Sequence, residues 1–246
     1  MSEVNIAKDA LTKGDGYFLL ENLIDTDTAA KIRSIVLDKL SEGTEMAKGD
    51  INISNLLAHG SEFEEIITNP RLLAVAHALL GSDAKLAAFT AKTLMPGGDA
   101  GRLHVDYPYW AMDPGMPVEP ALMMQVIWMM NPFNTENGGT WILPGSQKFE
   151  EHVDQDKFEA QAIQATGNAG DAIVSHGLLW HQTAVNRSGE PRVAILINFS
   201  QLAVRPMTEL GPFTDEFLGQ ASPELLELLP VNYRDSLMAR LKRNYS

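Results

Sequence analysis

From Lys85 to Phe199 the chain alternates short apolar runs with breaks rich in glycine, proline and asparagine, and that rhythm confines it to a sheet-built fold. Strands are predicted at Lys85–Met95, Arg102–Asp106, Ala121–Met130, Thr140–Leu143, Asp171–His176, His181–Val185 and Arg192–Phe199. The breaks between them include Pro96-Gly97-Gly98, Asn137-Gly138-Gly139, Pro144-Gly145 and Ser188-Gly189. Ahead of this region lie a short strand at Tyr17–Ile24 and a helix over Ala29–Leu40, with Asp25, Thr26, Asp27 and Thr28 as candidate N-caps. A helical stretch follows at Glu64–Leu80, broken at Pro70 and closed by Gly81. Glu42–His59 is polar and weakly patterned and is expected to be a loop; Glu224–Leu229 and Tyr233–Lys242 are expected to be terminal helices. Helices first and many short strands after them predict a mainly β protein, a sandwich or barrel with helices on one sheet, in one domain over residues 1–246.

Composition removes several function classes. With 45% apolar residues the chain can build a core, and no apolar run nears the roughly 20 residues that cross a bilayer. The first residues lack a basic segment followed by an apolar one, so neither signal peptide nor membrane span is expected, and a cytoplasmic location is. The absence of cysteine excludes disulfides and thiolate metal sites and leaves His, Asp and Glu as metal ligands. A net charge of −13 repels phosphate backbones, so nucleic acid is not an expected partner. The basic tail of Arg234, Arg240, Lys242 and Arg243 reads as the solvated face of the last helix. Nothing in the sequence fixes the oligomeric state.

His104-Val105-Asp106 carries the first chemical signal. Residues i and i+2 of a strand share a face, so one imidazole and one carboxylate point at one spot. These are two of the three ligands of the two-His, one-carboxylate triad that non-haem iron(II) enzymes use. The motif is short, and the chain holds a second match, His152-Val153-Asp154, whose polar surroundings place it at the surface. Downstream, His181 ends an apolar stretch and Arg192 follows eleven residues later across an Asn-Arg-Ser-Gly turn, which lays the two on adjacent antiparallel strands. A guanidinium there offers the planar fork that a carboxylate needs. A core role for His181 and a surface role for Arg192 stay open on residue patterns alone, and His176 is a nearby alternative ligand. Alternation along the last strand predicts Arg192, Ala194 and Leu196 on the interior face, which Asn198 shares, and Val193, Ile195 and Ile197 on the other. Gln125, the one polar residue in its apolar run, points either into a cavity or to a partner in the core. Tyr107, Tyr109, Trp110 and Trp141 either line a substrate mouth or pack, and Met123, Met124, Met129 and Met130 read as core filling.

The order His104-x-Asp106, then Asn137-Gly138-Gly139-Thr140-Trp141-Ile142-Leu143-Pro144-Gly145-Ser146, then Trp180-His181 and Arg192, resembles the phytanoyl-CoA dioxygenase family of iron(II)- and 2-oxoglutarate-dependent oxygenases. The segment Asp15–Ile24 resembles that family's opening, so the likeness covers roughly residues 15–200. It implies a double-stranded β-helix (a cupin-like jelly-roll) flanked by helices. It implies iron(II) on His104, Asp106 and His181, and the far carboxylate of 2-oxoglutarate on Arg192. Members often carry Ser two residues after the arginine; Ala194 stands here, and Thr183 is the hydroxyl that could serve instead, with Gln125 a further candidate on the cosubstrate. Gly145-Ser146-Gln147 replaces the usual Gly-Ser-His, and the presence of Asp106 disfavours halogenation. The expected reaction uses dioxygen to hydroxylate an unactivated C–H bond of a small molecule, releasing succinate and carbon dioxide, with Tyr107, Tyr109, Trp110 and Trp141 around the substrate. The rival readings are a cupin-like metal-dependent hydrolase or isomerase and a non-catalytic barrel for a small ligand.

Overall fold

The computed structural model describes residues 1–206, 210–211 and 213–245, with side chains excepted at 232–234, 244 and 245. Seven strands make the main sheet: β1 (Tyr17–Leu20), β2 (Thr44–Ala47), β3 (Asp50–Ser54), β4 (Lys85–Leu94), β5 (Met123–Met129), β8 (Ala172–His176) and β10 (Arg192–Ser200). Their order is β1-β8-β5-β10-β4-β3-β2, antiparallel throughout. Three short strands, β6 (Trp141–Ile142), β7 (Ile163–Gln164) and β9 (His181–Gln182), form a second sheet in the order β7-β6-β9. The two sheets and their flanking helices make a jelly-roll architecture, and the described strands do not close into a barrel.

Strand alternation decides which side chains meet between the sheets. In β10, Val193, Ile195, Ile197 and Phe199 bury themselves under the helices, while Ala194 joins Ile127, Met129 and Ile173 of the main sheet and Ile142 of the small one. Arg192 shares that inward face, as predicted, and is buried. The helical layer is α1 (Glu3–Thr12), α2 (Thr26–Asp38), α3 (Ser61–Ile67) and α4 (Pro70–Leu80), followed at the C-terminal end by α6 (Asp215–Gln220), α7 (Pro223–Leu228) and α8 (Tyr233–Tyr245); α5 (Gln155–Gln161) lies between the strands of the small sheet in sequence. Ala7, Ile32, Val36, Phe63 and Val75 drive four of these helices onto the sheet. Asp25 caps α2 by accepting the Thr28 N–H at 2.7 Å, and Asn69 caps α4 ahead of Pro70.

Several expectations are corrected. The segment Glu42–His59 is not a loop: β2 and β3 form a hairpin at the sheet edge, turning at Gly49 (φ +70°). Asp50-Ile51-Asn52-Ile53 does alternate, but its inward residues are polar, because Asp50 pairs there with Lys92 at 2.6 Å. The strand expected over Arg102–Asp106 shrinks to one bridge between His104 and His181, since the Asp106 N–H turns instead to the Gly177 carbonyl. α1, α5 and β7 were not foreseen. In the basic tail, Arg240 and Arg243 reach Asp83 at 3.3 and 3.0 Å rather than facing only solvent, and the Arg234 side chain lies outside the described residues.

Candidate active site

The bridge between His104 and His181 brings the two sequence motifs together. Each backbone N–H donates to the other's carbonyl, at 3.1 and 3.0 Å, and the rings stand 4.3 Å apart. Asp106 enters from the same side, with its Oδ1 4.0 Å from His181 Nε2. One candidate ligand atom from each of His104, Asp106 and His181 lies within 4.8 Å of the others, the one such cluster among the described residues.

Backbone carbonyls set the tautomers. His104 Nδ1 lies 2.8 Å from the Arg102 carbonyl and His181 Nδ1 2.9 Å from the Leu179 carbonyl. A carbonyl only accepts, so both Nδ1 atoms carry the proton and both Nε2 atoms present unprotonated lone pairs. Gln125 Nε2 donates to Asp106 Oδ1 at 3.1 Å and stands 3.5 Å from His181 Nε2. Its amide therefore steadies the carboxylate. Burial raises the pKa of Asp106 and lowers the proton affinity of both histidines. A desolvated carboxylate beside two neutral imidazoles suits a divalent cation, and two nitrogens with one oxygen match the iron(II) triad.

Arg192 is 1% exposed. Its Nη1 donates to the Gly138 carbonyl at 2.9 Å and its guanidinium lies 4.5 Å from the Phe133 ring centre. Nε has no partner, and no carboxylate pairs with the group among the described residues. Burial lowers its pKa to about 10, with Asp50 opposing that shift. A buried guanidinium with a free donor is the feature that a cosubstrate carboxylate would complete.

The remaining candidates separate. Tyr107 and Trp110 border a cavity of about 160 Å³ beside His104 and Asp106, together with Ala87, Ala88, Met123 and Asn198. Tyr109 does not border it: the ring is buried against His176, and the hydroxyl accepts the Leu122 N–H at 2.7 Å. Trp141 does not either. It pairs with Gln182 while Ile142 pairs with His181, so Trp141 projects from the opposite face of the small sheet, into a separate cavity of about 300 Å³ beside Phe158 and Arg187. That cavity is the larger but holds no metal-competent cluster. The Thr183 side chain packs at Gly101, and no hydrogen bond joins its hydroxyl to the triad or to Arg192. His176 is fully used, accepting the Leu178 N–H on Nδ1 and donating from Nε2 to the Val118 carbonyl. His152 is exposed, and Asp154 caps α5 through the Lys157 N–H. Sequence reasoning missed the cavity-wall roles of Met123 and Asn198; the shared face of Arg192 and Asn198 was the available signal for the latter.

Comparison with known proteins agrees with this arrangement. The family model described as phytanoyl-CoA dioxygenase matches residues 13–194. The chain belongs to that family. Membership and the triad together place it among the 2-oxoglutarate-dependent non-haem iron dioxygenases, with iron and 2-oxoglutarate as cofactors. This family member is 29% identical to Dioxygenase af480 of Aspergillus fumigatus over 174 residues, 70% of this chain and 55% of that one, so it spans about half the relative's length. It is 23% identical to Dioxygenase andF of Emericella variicolor over 229 residues, 87% of this chain and 80% of that one. Its fold resembles that of the α-ketoglutarate-dependent epimerase SnoN from nogalamycin biosynthesis, with a TM-score of 0.68 at 15% identity over 87% of this chain and 94% of that one. A SnoN complex with Fe3+, α-ketoglutarate and nogalamycin RO gives a TM-score of 0.67 at 15% identity over 87% and 96%. No helix among the described residues is long and apolar enough to cross a membrane.

Proposed function

We propose that this chain is a single-domain cytoplasmic dioxygenase that hydroxylates an unactivated C–H bond of a small molecule. His104, Asp106 and His181 would hold iron(II), and Arg192 would hold the far carboxylate of 2-oxoglutarate. The observation that carries the reading is the pairing, inside one fold, of a triad with both Nε2 atoms unprotonated and a buried arginine with no acid partner among the described residues. Iron(II), when bound, supplies dioxygen activation: one oxygen atom enters succinate, the other the substrate carbon, and 2-oxoglutarate loses carbon dioxide.

The chain's own residues do the rest. The Arg102 and Leu179 carbonyls fix the imidazole tautomers, Gln125 fixes the carboxylate, and the buried Arg192, held by the Gly138 carbonyl, would fix the cosubstrate. Gln125 thus serves the site through Asp106, and Thr183, two residues after His181, would offer its hydroxyl to the cosubstrate. A hydrolase or isomerase on the same triad, or a ligand-binding barrel, gives no use for a buried unpaired Arg192. The test is succinate release with iron(II) and 2-oxoglutarate under air across a panel of small molecules, followed by product mass. A gain of one oxygen supports hydroxylation. Loss of two hydrogens, or an unchanged mass with inverted stereochemistry, would replace it with desaturation or epimerisation.

A further inference from the structure

The wall of the cavity beside the triad is chemically lopsided. Apart from Asp106, no acidic or basic residue other than histidine borders it among the described residues. Its walls are methyl groups and a thioether, from Ala87, Ala88 and Met123. The mouth is aromatic: the Tyr107 and Trp110 rings are 6.0 Å apart at a 58° tilt, and Trp110 is 55% exposed.

Asn198 is the exception. Its carboxamide has no hydrogen-bond partner among the described residues, although the side chain is partly buried. It stands directly opposite Gln125 on β5 and Ala88 on β4. Opposed side chains of an antiparallel pair have Cβ atoms roughly 5 Å apart, so the free amide is one strand away from the amide that holds Asp106. Ala88 leaves the space on its other flank unfilled. Arg192 occupies the far end of the same inward face, six residues earlier, and does not border the cavity. The interior is thus divided into a cationic cosubstrate end and a neutral end with one unmet amide.

We infer that the cavity takes an uncharged, largely apolar ring compound bearing a hydroxyl or carbonyl oxygen, and that Asn198 hydrogen-bonds to that oxygen and so selects which carbon faces the metal. The inference rests on the function proposed above. An anion entering here meets no lysine or arginine among the described residues of the wall, and the protein's net charge of −13 opposes its approach. A cavity of about 160 Å³ is smaller than one that encloses a whole drug-sized ligand, so one ring enters and the rest of the molecule lies across Trp110.

The test uses three molecules with one skeleton: 2-indanol, indane and indane-2-carboxylate. Each is titrated anaerobically into protein loaded with iron(II) and 2-oxoglutarate, and binding is read by tryptophan fluorescence. Wild type is expected to bind 2-indanol roughly threefold to tenfold tighter than indane, as one neutral hydrogen bond provides, and the carboxylate most weakly. Asn198→Leu is expected to erase the preference for the alcohol while indane binds as well or better. Asn198→Ser, which keeps a small polar group, is expected to retain part of it. Tightest binding of the carboxylate, an alcohol preference that survives in Asn198→Leu, or no binding of either neutral probe would overturn the inference. The visible band of the iron–oxoacid complex is recorded first; its absence from wild type would count against the proposed function rather than against Asn198.

Discussion

Replacing Arg192 with methionine should leave the protein folded and remove its affinity for 2-oxoglutarate. The side chain is 1% exposed, and burial lowers its pKa to about 10. Set against an ordinary guanidinium, that shift corresponds to a desolvation cost of about 3 kcal/mol. The hydrogen bond to the Gly138 carbonyl and the contact with Phe133 return roughly 1–3 kcal/mol together. Methionine keeps most of the volume and loses the charge. The cosubstrate-free Arg192→Met protein should therefore match wild-type stability or exceed it by about 1–2 kcal/mol, whereas Arg192→Ala, which also opens a void, should fall below it. Losing a charge-assisted, two-pronged contact should cost about 2–4 kcal/mol of cosubstrate binding, a weakening of roughly 30-fold to 1000-fold. Arg192→Lys, with charge but no fork, should lie between. Denaturant melts give the first quantity, and anaerobic titration of 2-oxoglutarate into iron-loaded protein gives the second. Wild-type cosubstrate affinity in Arg192→Met would refute the assignment and direct attention to Lys92, the other inward cation, now paired with Asp50 at 2.6 Å.

Three further outcomes are expected. His104→Ala and His181→Ala should each abolish the visible band formed by iron(II) and 2-oxoglutarate, while His152→Ala, at an exposed position, should leave it unchanged; the reverse pattern would mean the wrong His-x-Asp pair holds the metal. Burial lowers the pKa of His176 from 6.5 to about 4, so the unfolded chain binds the proton more readily. Stability from this group is complete above pH 6.5 and is lost as pH falls towards 4, by about 3 kcal/mol, and melts from pH 7 to 4 should show a shallower decline in His176→Gln. Gly138→Ala puts a methyl 2.7 Å from Leu94 Cδ2 and 2.8 Å from the Ala184 carbonyl at a φ of +84°. It should cost about 2 kcal/mol or more and weaken 2-oxoglutarate binding, because the displaced carbonyl is the one that holds Arg192; calorimetry and the same titration would detect both.

The sequence alone was enough to place the parts that obey short-range rules. Alternation along Arg192–Ser200 separated Arg192 and Ala194 from Val193 and Ile195, because a strand has a period of two and one face must be dry. Asp25 and Pro70 marked helix starts through local hydrogen bonding and a fixed φ. The candidate metal site was legible because two of its members, His104 and Asp106, are two residues apart. Other features depended on residues distant in the chain. The hairpin of β2 and β3 escaped notice because its inward residues are polar, and only the arrival of Lys92, 42 residues on, makes a buried Asp50 tolerable. The four aromatic candidates looked alike in sequence; the pairing of Ile142 with His181 sent Trp141 to the outer face, and the Leu122 N–H drew Tyr109 into packing. For Gln125 the sequence left a cavity and a core partner equally open, and what it meets is Asp106, which the bridge between His104 and His181 delivers. Periodicity says which face a side chain takes, but what lies on the other side of that face is settled only when the strands pair.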